Sequence, residues 1–249
     1  FGSPEYNMAV DEALLRNFKD GDLPIIRLYR WEPSISLGRF SKLEQSVDIK
    51  ALQKQNLSYV RRMTGGGILA HGGDLSYSIT VPRRTLKDIG VKESYRYLCQ
   101  FLINLYEKLG LKAEFAHDLK LESSKSNICM ASNEPYDIII DDRKIGGNAQ
   151  RYTKEVLFQH GSIPIKLDAA LFKDVFLEES GLKDIATLDR IGSSVIYEKL
   201  KAFLIEAFME SFDAQIIRDD LNTSQIKRAC ELQEKKYTNI RWNINGKQN

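Results

Sequence analysis

The sequence predicts an α+β fold, in which helices flank a mixed or antiparallel sheet. Short strand-like segments dominate the first two thirds of the 249 residues, and helical patterns follow from about residue 169. Strands and helices that are segregated in this way favour α+β architecture, whereas a doubly wound parallel sheet would alternate them. The chain shows no internal repeat and no long linker. We therefore expect residues 1–249 to form a single domain, helical from about 169.

Hydrophobic periodicity predicts the elements of the first half. Apolar side chains recur on one helical face from Val10 to Phe18, which indicates a helix over 7–18. Apolar residues from Leu75 to Val81 alternate with serine and threonine, a pattern typical of a half-buried strand. Asp48 is a suitable N-cap for a helix that ends near residue 56. Further strands are expected over 25–29, 34–38 and 58–61.

The second half begins with a long helix, expected over 94–109 and closed by Gly110. Residues 136–145 have the pattern of a hairpin that turns at Asp141-Asp142. A strand over about 156–165 follows. The remaining chain predicts helices over about 169–176, 194–212 and 224–236.

Composition excludes several classes of protein. The 36 Lys and Arg residues nearly balance 34 Asp and Glu, giving a net charge of +2, whereas a bulk nucleic-acid binder would be strongly basic. No apolar run approaches the ~20 residues that span a bilayer, so no membrane partner is expected. No signal peptide is evident, and Cys99, Cys129 and Cys230 lack CxxC spacing. These features favour a reducing cytoplasm and argue against a disulfide framework.

Two glycine-containing segments stand out. Gly65, Gly66 and Gly67 follow the cations Arg61 and Arg62. Three successive glycines cost conformational entropy, a cost tolerated where a ligand approaches the backbone or φ is positive. The cations suggest a polar or anionic ligand, although an ordinary hairpin loop would give the same composition. The second segment comprises Lys144, Gly146, Gly147 and Ala149.

Cys129 is the candidate nucleophile because it lies in a polar stretch, 126–133, that is expected to be an accessible loop. Many free cysteines are instead buried small hydrophobes, which is the interpretation we favour for Cys99. A nucleophilic cysteine needs thiolate character, which a nearby cation promotes. Lys144 is the candidate cation, with a solvated hairpin lysine as the alternative.

The three histidines do not have metal-ligand spacing. His71 follows the first glycine segment and His160 precedes Gly161, so both are expected to line a cleft, whereas His117 is expected to be structural. No GxxxxGK[ST] or GxGxxG phosphate motif occurs. No metal or cofactor is therefore predicted.

Several separated motifs together resemble the lipoate and octanoate attachment family. They are Arg61-Arg62-x-Thr-Gly-Gly-Gly with His71, Lys144-Ile-Gly-Gly-Asn-Ala-Gln-Arg151 and Gln159-His160-Gly161-Ser162. Residues 7–14 and 31–38, and Tyr237 with Trp242-Asn243, match its early and late segments. The resemblance spans nearly the whole chain and implies the α+β catalytic domain shared by lipoate–protein ligases, octanoyltransferases and biotin ligases.

Within this family the sequence is more similar to octanoyltransferases of the Gram-positive type than to ligases. Asp74-Leu-Ser-Tyr77-Ser follows His71, where ligases typically carry His-Asp-x-Gly-Asn. Cys129 stands seven residues before Tyr136, a position that suits the loop cysteine of this branch. Little chain follows Asn243, whereas many ligases have an accessory domain.

The resemblance implies transfer of an octanoyl group from acyl carrier protein to a lysine of a lipoyl domain. The acceptor would be the glycine cleavage H protein or the E2 subunit of a 2-oxoacid dehydrogenase. Cys129 and Lys144 would be catalytic. Substrate-binding residues would be Arg61, Arg62, Gly65, Gly66, Gly67, His71, Gly146, Gly147, Ala149, His160 and Gly161.

Two alternatives remain open. The first is a lipoate–protein ligase that uses ATP and magnesium and lacks its accessory domain or obtains it from a separate subunit. The second is a non-catalytic module that binds acyl groups or carrier proteins. The presence of both Cys129 and Lys144 argues against the second.

Overall fold

The computed structural model describes residues 2–19, 21–86, 89–120, 134–177, 182 and 185–247. Its strands are β1 (Ile25–Tyr29), β2 (Ser34–Leu37), β3 (Ser58–Arg61), β4 (Ile68–His71), β5 (Asp74–Pro82), β6 (Glu114–Phe115), β7 (Ile138–Ile140), β8 (Arg143–Lys144), β9 (Gly147–Tyr152) and β10 (Val156–Pro164). Its helices are α1 (Pro4–Asn17), α2 (Leu43–Ser46), α3 (Ile49–Lys54), α4 (Val91–Lys108), α5 (Tyr197–Phe212), α6 (Thr223–Leu232) and α7 (Ile240–Asn245). The predicted α+β class is confirmed.

Three small sheets organise these strands. The largest is antiparallel throughout, in the order β1-β5-β10-β9. In the second, β2 pairs parallel with β3 and antiparallel with β4. The third joins β6, β7 and β8, and its β7–β8 hairpin turns through Asp141 and Asp142, both with positive φ. Positive φ at two central residues is what a tight hairpin with the native twist requires.

Helices cover both faces of the largest sheet. The apolar side of α4, including Leu98, Phe101 and Leu105, packs with α5 against Tyr77 and Ile79 of β5. These helical residues recur at spacings of three and four, so they share one face. On the opposite side, α1 packs against α6, and its apolar residues share a cluster with Tyr29, Trp31 and Trp242. The chain ends are therefore brought together beside the sheet.

Three expectations about these elements were wrong in detail. Strand β5 is buried on both faces rather than half-buried: its serines and threonine are buried as well, and Ser78 donates to Asp11 of α1. The helix predicted over 169–176 is a single 3₁₀ turn, Ala169–Phe172. The helix predicted over 224–236 changes at Leu232 into a π-helical turn, Gln233–Tyr237. Within the described ranges, no helix is both long and apolar enough to cross a bilayer.

Candidate active site

A cleft of about 360 Å³ lies where the two larger sheets meet. Seven of the predicted site residues line it: Arg62, Gly66, His71, Gly147, Ala149, His160 and Gly161. Their neighbours in the lining are Tyr29, Trp31, Ser36, Leu69, Ser76, Asn148 and Ser162. The structure thus brings together both glycine segments and two of the three histidines.

The glycine loop, residues 64–67, connects β3 to β4 at the edge of this cleft. Gly66 has φ +88, which favours glycine. The loop carbonyls all accept from protein donors: Thr64 from the N–H of Arg39, Gly65 from Arg62, Gly66 from Ser41, and Gly67 from the N–H of Gly38 and from Arg62. The N–H groups of Gly65, Gly66 and Gly67, in contrast, donate to no atom of the described residues. The loop therefore keeps its carbonyls internal and leaves its donors available.

Each cleft histidine is held between a carboxylate and a hydroxyl. His71 contacts Asp74 through Nδ1 (3.0 Å) and Ser36 Oγ through Nε2 (2.7 Å). His160 has its Nδ1 3.6 Å from Asp11 and its Nε2 2.7 Å from Thr64 Oγ1. Burial lowers the pKa of His160, although Asp11 opposes the shift. His160 is therefore neutral at neutral pH.

The Asp11 carboxylate behind His160 is buried, and its oxygens accept hydrogen bonds from protein donors. Asp11 accepts from Arg27, Tyr29 and Ser78 at 2.8 to 2.9 Å. Burial raises its pKa, but Arg27, His160 and Ser78 outweigh burial and hold the pKa below its ordinary value. A carboxylate with several donors remains ionised in this way. Asp11 is thus a fixed negative charge beneath His160.

The neighbouring arginines have different roles. Arg62 lines the cleft, whereas Arg61 is 1% exposed and does not contribute to the lining. The Arg61 guanidinium donates to six backbone carbonyls, those of Gly38, Arg39, Ser41, Trp242, Asn243 and Ile244. It joins the segment after β2 to α7. The structure thus corrects the expectation that the Arg61 guanidinium faces a ligand.

Lys144 is buried rather than solvated, which excludes the alternative interpretation of this residue. It ends β8, and its Nζ lies 2.7 Å from Asp137 Oδ2, with both side chains less than a tenth exposed. The Asp137 carboxylate also accepts from the N–H of Glu134 (2.7 Å), so its position is fixed by the turn before β7. The ammonium is therefore held beside the turn before β7.

Cys129 lies outside the described residues. Of the other cysteines, Cys99 is buried in α4 and Cys230 is exposed. Burial raises the pKa of the Cys99 thiol well above its ordinary value, so this cysteine is a thiol at neutral pH and not a nucleophile. The prediction that Cys99 is a buried small hydrophobe is confirmed.

A second cavity of about 320 Å³ adjoins the cleft and shares Leu69 and Ser162 with it. Gly146 lines this cavity rather than the cleft. Its φ is +67, and a Cβ atom there would lie 2.1 Å from the Ser162 carbonyl oxygen. Much of the remaining lining is aliphatic: Ala70, Pro164, Leu167 and Ile185.

Sequence reasoning missed several residues that shape the site. Asp11 falls within the matching segment 7–14, but the sequence gives no indication that it lies under His160. Asp137 and Ser36 were not singled out. Nor was Asn148, whose Oδ1 accepts from Tyr77 (2.7 Å) and whose carbonyl accepts from Tyr95 (2.9 Å). One feature of the sequence could have identified some of these residues: Ser36 and Ser76 are polar residues within predicted strands.

Comparison with known proteins is consistent over nearly the whole chain. Residues 3–218 match the family model of the lipoyl protein ligase A/B catalytic domain. Octanoyltransferase LipM of Staphylococcus aureus is 34% identical over 248 residues, which cover 95% of this chain and 84% of the relative. Octanoyltransferase LipM of Bacillus subtilis is 30% identical over 261 residues, covering 97% and 94%.

Solved structures show the same fold. A lipoate-protein ligase A bound with ATP superposes with a TM-score of 0.84 at 27% identity, covering 96% of this chain and 93% of that one. A putative lipoate protein ligase from T. acidophilum with bound lipoic acid gives 0.84 and 27%, covering 98% and 95%. The lipoate ligase catalytic fold expected from the sequence motifs is confirmed.

Proposed function

Because the chain belongs to the lipoyl protein ligase A/B catalytic-domain family, we propose that it carries an octanoyl group from acyl carrier protein to a lipoyl-domain lysine through an acyl-enzyme on Cys129. The chain is an acyltransferase of protein lipoylation, in agreement with curated octanoyltransferases about 30% identical to it over most of its length. The donor, the acceptor and the covalent step are the parts that we propose.

The orientation of the glycine loop carries this proposal. Attack on a thioester carbonyl places negative charge on its oxygen, and preorganised N–H donors stabilise that charge. Gly66 lines the cleft, and the N–H groups of Gly65, Gly66 and Gly67 have no acceptor among the described residues. All four carbonyls of the loop are turned toward protein donors. A loop arranged in this way suits an oxyanion better than it suits a cation.

Two displacements at one carbonyl carbon complete the reaction. The Cys129 thiolate forms a bond to the octanoyl carbonyl, and the carrier-protein thiolate leaves. The amine of the acceptor lysine then attacks the thioester on Cys129, which releases the cysteine sulfur and forms the amide. In the first step the departing carrier-protein thiolate takes a proton from the Lys144 ammonium, and the neutral Lys144 amine is the group proposed to receive the proton that the acceptor amine loses in the second step.

Lys144 also supports the first step. Its ammonium is held 2.7 Å from Asp137, and the proposal places the Cys129 thiol within reach of this charge. A fixed positive charge near a thiol favours the thiolate. The buried pair with Asp137 keeps this charge in place without a flexible side chain.

The adjoining cavity is the place that we propose for the octanoyl tail. That cavity opens from the cleft past Leu69 and Ser162 and has aliphatic walls. An eight-carbon chain gains roughly 0.8 kcal/mol for each CH₂ group that it buries. The cavity therefore provides affinity for the acyl group, while the glycine loop orients its carbonyl.

Mass spectrometry tests the covalent step. The protein is incubated with octanoyl-carrier protein without nucleotide, and its intact mass is recorded. We expect one octanoyl adduct on the wild type and on Cys99→Ala and Cys230→Ala, but none on Cys129→Ala. A Cys129→Ala variant that retained most of its transfer activity would contradict the acyl-enzyme.

A second candidate function, ATP-dependent lipoate ligation, is favoured by the ATP-bound lipoate-protein ligase A at a TM-score of 0.84. A ligase would activate a free acid as an adenylate and would need no nucleophilic cysteine. The two functions therefore differ in acyl donor and in nucleotide requirement.

A further inference from the structure

Four buried side chains form a continuous hydrogen-bonded chain beside the cleft. Asp74 Oδ2 lies 3.0 Å from His71 Nδ1, His71 Nε2 lies 2.7 Å from Ser36 Oγ, and Ser36 Oγ lies 2.7 Å from Arg62 Nη1. The four residues are between 0 and 5% exposed. Asp74 comes from β5, His71 from β4 and Ser36 from β2, so the chain crosses from the largest sheet to the second sheet.

The direction of each hydrogen bond follows from the donors and acceptors present. Burial raises the pKa of Asp74, but His71, the N–H of Gly72 and Ser162 hold it below its ordinary value, so the group is a carboxylate that only accepts. His71 must then donate from Nδ1. Arg62 only donates, so the Ser36 oxygen accepts from Arg62. When the His71 ring is neutral, its Nε2 accepts from the Ser36 hydroxyl.

The Asp74–His71 end of this hydrogen-bonded chain lies in a rigid environment. The His71 ring stacks on Trp31, with centroids 4.1 Å apart and planes 14° from parallel. Trp31 Nε1 donates to Ser76 Oγ (2.9 Å), and Ser76 donates to Asp74 (2.9 Å). A ring fixed on its face and at both nitrogens has one orientation.

At its Arg62 end, the hydrogen-bonded chain reaches the glycine loop. Arg62 Nη2 donates to the carbonyls of Gly65 (3.2 Å) and Gly67 (2.9 Å), and Nη1 donates to the carbonyl and the hydroxyl of Ser36. These bonds use the four hydrogens of the two terminal nitrogens within the protein. Arg62 therefore clamps the loop to β2.

A serine, a histidine and an aspartate in this order also resemble a nucleophilic triad. Ser36, however, is 0% exposed, and its oxygen already accepts from Arg62. An attacking oxygen must reach a carbonyl carbon, and this one is covered. The geometry is that of a support and not of a nucleophile.

We propose that Asp74, His71 and Ser36 are positioning residues which, through Arg62, hold the glycine loop with its carbonyls inward and its N–H groups toward the thioester carbonyl. The catalytic part of this inference rests on the transfer reaction proposed above; the coupling to the loop does not. Removing the Ser36 hydroxyl takes away one of the two bonds that Arg62 Nη1 donates to Ser36 and breaks the connection from Arg62 to His71, which should loosen the loop.

Ser34 lies on β2, as Ser36 does, and provides a matched control. Ser34 is also 0% exposed and faces the same side of β2. Its hydroxyl, however, donates to the carbonyl of Glu32 (2.8 Å) and lies outside the hydrogen-bonded chain. Ser34→Ala and Ser36→Ala therefore remove the same atom from the same strand. With glycine-selective ¹⁵N labelling, we expect the order parameters of Gly65, Gly66 and Gly67 to fall from about 0.85 to below about 0.6 in Ser36→Ala only. Equal values in the two variants would overturn the proposal.

Kinetics supply the second readout. Acyl-enzyme formation from octanoyl-carrier protein should be about 100-fold slower in Ser36→Ala, the effect typical of losing an oxyanion donor. Ser34→Ala should react near the wild-type rate. Alkylation of Cys129 by iodoacetamide needs no oxyanion site, so it should be equal in all three proteins. Slowing of acylation and alkylation to the same degree would indicate a general loss of structure and would overturn the positioning role.

A conservative variant refines the test. His71→Gln provides a carbonyl oxygen that can accept from Ser36, whereas His71→Ala provides none, so the first should acylate faster. If the wild type forms no acyl-enzyme, the proposed function fails, and the order parameters still decide whether Ser36 holds the loop.

Discussion

Individual side chains in this protein act through buried charge pairs. Lys144 is 5% exposed and lies 2.7 Å from Asp137. A buried ammonium is costly without a carboxylate, so the pair fixes both the position and the charge of this lysine. A charge that cannot move into water acts strongly on the groups near it, because little solvent screens it.

We therefore predict that Lys144→Met slows alkylation of Cys129 at neutral pH. The thiolate fraction sets that rate, and the variant removes the cation that favours the thiolate. The rate should be measured against pH, with the midpoint of the profile moving to higher pH. Lys154→Met, which removes an exposed lysine from the turn before β10, is the control. An unchanged profile in Lys144→Met would remove this residue from the activating role.

The adjacent residues Arg61 and Arg62 show how far the sequence predicts the roles of individual side chains. Arg61 and Arg62 are adjacent, so successive side chains leave opposite faces of the strand. The sequence locates this pair beside the glycine loop but does not show that Arg62 faces the cleft while Arg61 donates to six carbonyls. Three of these carbonyls lie about 180 residues away in α7, a distance over which local patterns carry no information.

Between elements, α1 is joined to the C-terminal segment by a buried charge cluster. Glu12 of α1 contacts Lys236 (2.6 Å) and Tyr237 (2.5 Å) of the π-helical turn, and Arg16 (2.5 Å). The sequence predicted a continuous helix here, because nothing in its apolar spacing marks a π-turn. In the observed turn, Lys236 and Tyr237 both reach one carboxylate.

Glu12 should therefore make stability depend on pH. Burial raises its pKa, but Lys236, Tyr237 and Arg16 hold it below its ordinary value of 4.5. A depressed carboxyl pKa stabilises the folded state above pH 4.5, and this contribution is lost as pH falls through the folded-state pKa. We predict that Glu12→Gln lowers the free energy of unfolding at pH 7 by about 3 kcal/mol, as for other broken buried pairs.

Urea unfolding at several pH values measures this effect. The difference between wild type and Glu12→Gln should be constant between pH 5 and 7 and should shrink below 4.5. Glu107→Gln, at an exposed position of α4, should match the wild type at every pH. A Glu12→Gln variant as stable as the wild type at pH 7 would show that the cluster does not join α1 to the chain end.

For the whole molecule, the sequence predicted the class of fold and most strands because local signals and the tertiary structure agree. The α4 stripe, the Asp141-Asp142 turn and the Asp48 cap are examples. It did not predict how the sheets meet, because the cleft joins residues as distant as Asp11 and His160. Such contacts depend on packing across layers, which no single periodic segment encodes.

At the scale of the whole molecule, the proposed transfer reaction predicts activity that is independent of nucleotide. A free carboxylate is a poor electrophile and must be adenylated, whereas a thioester is already activated. Gly66 lines the cleft and its N–H donates to no atom of the described residues, and the chain is related over most of its length to octanoyltransferases. We expect octanoyl-carrier protein to modify a lipoyl domain in buffer without ATP, and free octanoate or lipoate with ATP and magnesium to give no product. The mass of the acceptor domain after each incubation measures both arms, and a lipoyl domain whose target lysine is replaced by arginine is the control.

Modification only with free acid and ATP would identify a ligase. Modification in neither arm would contradict the transfer reaction for this chain acting alone.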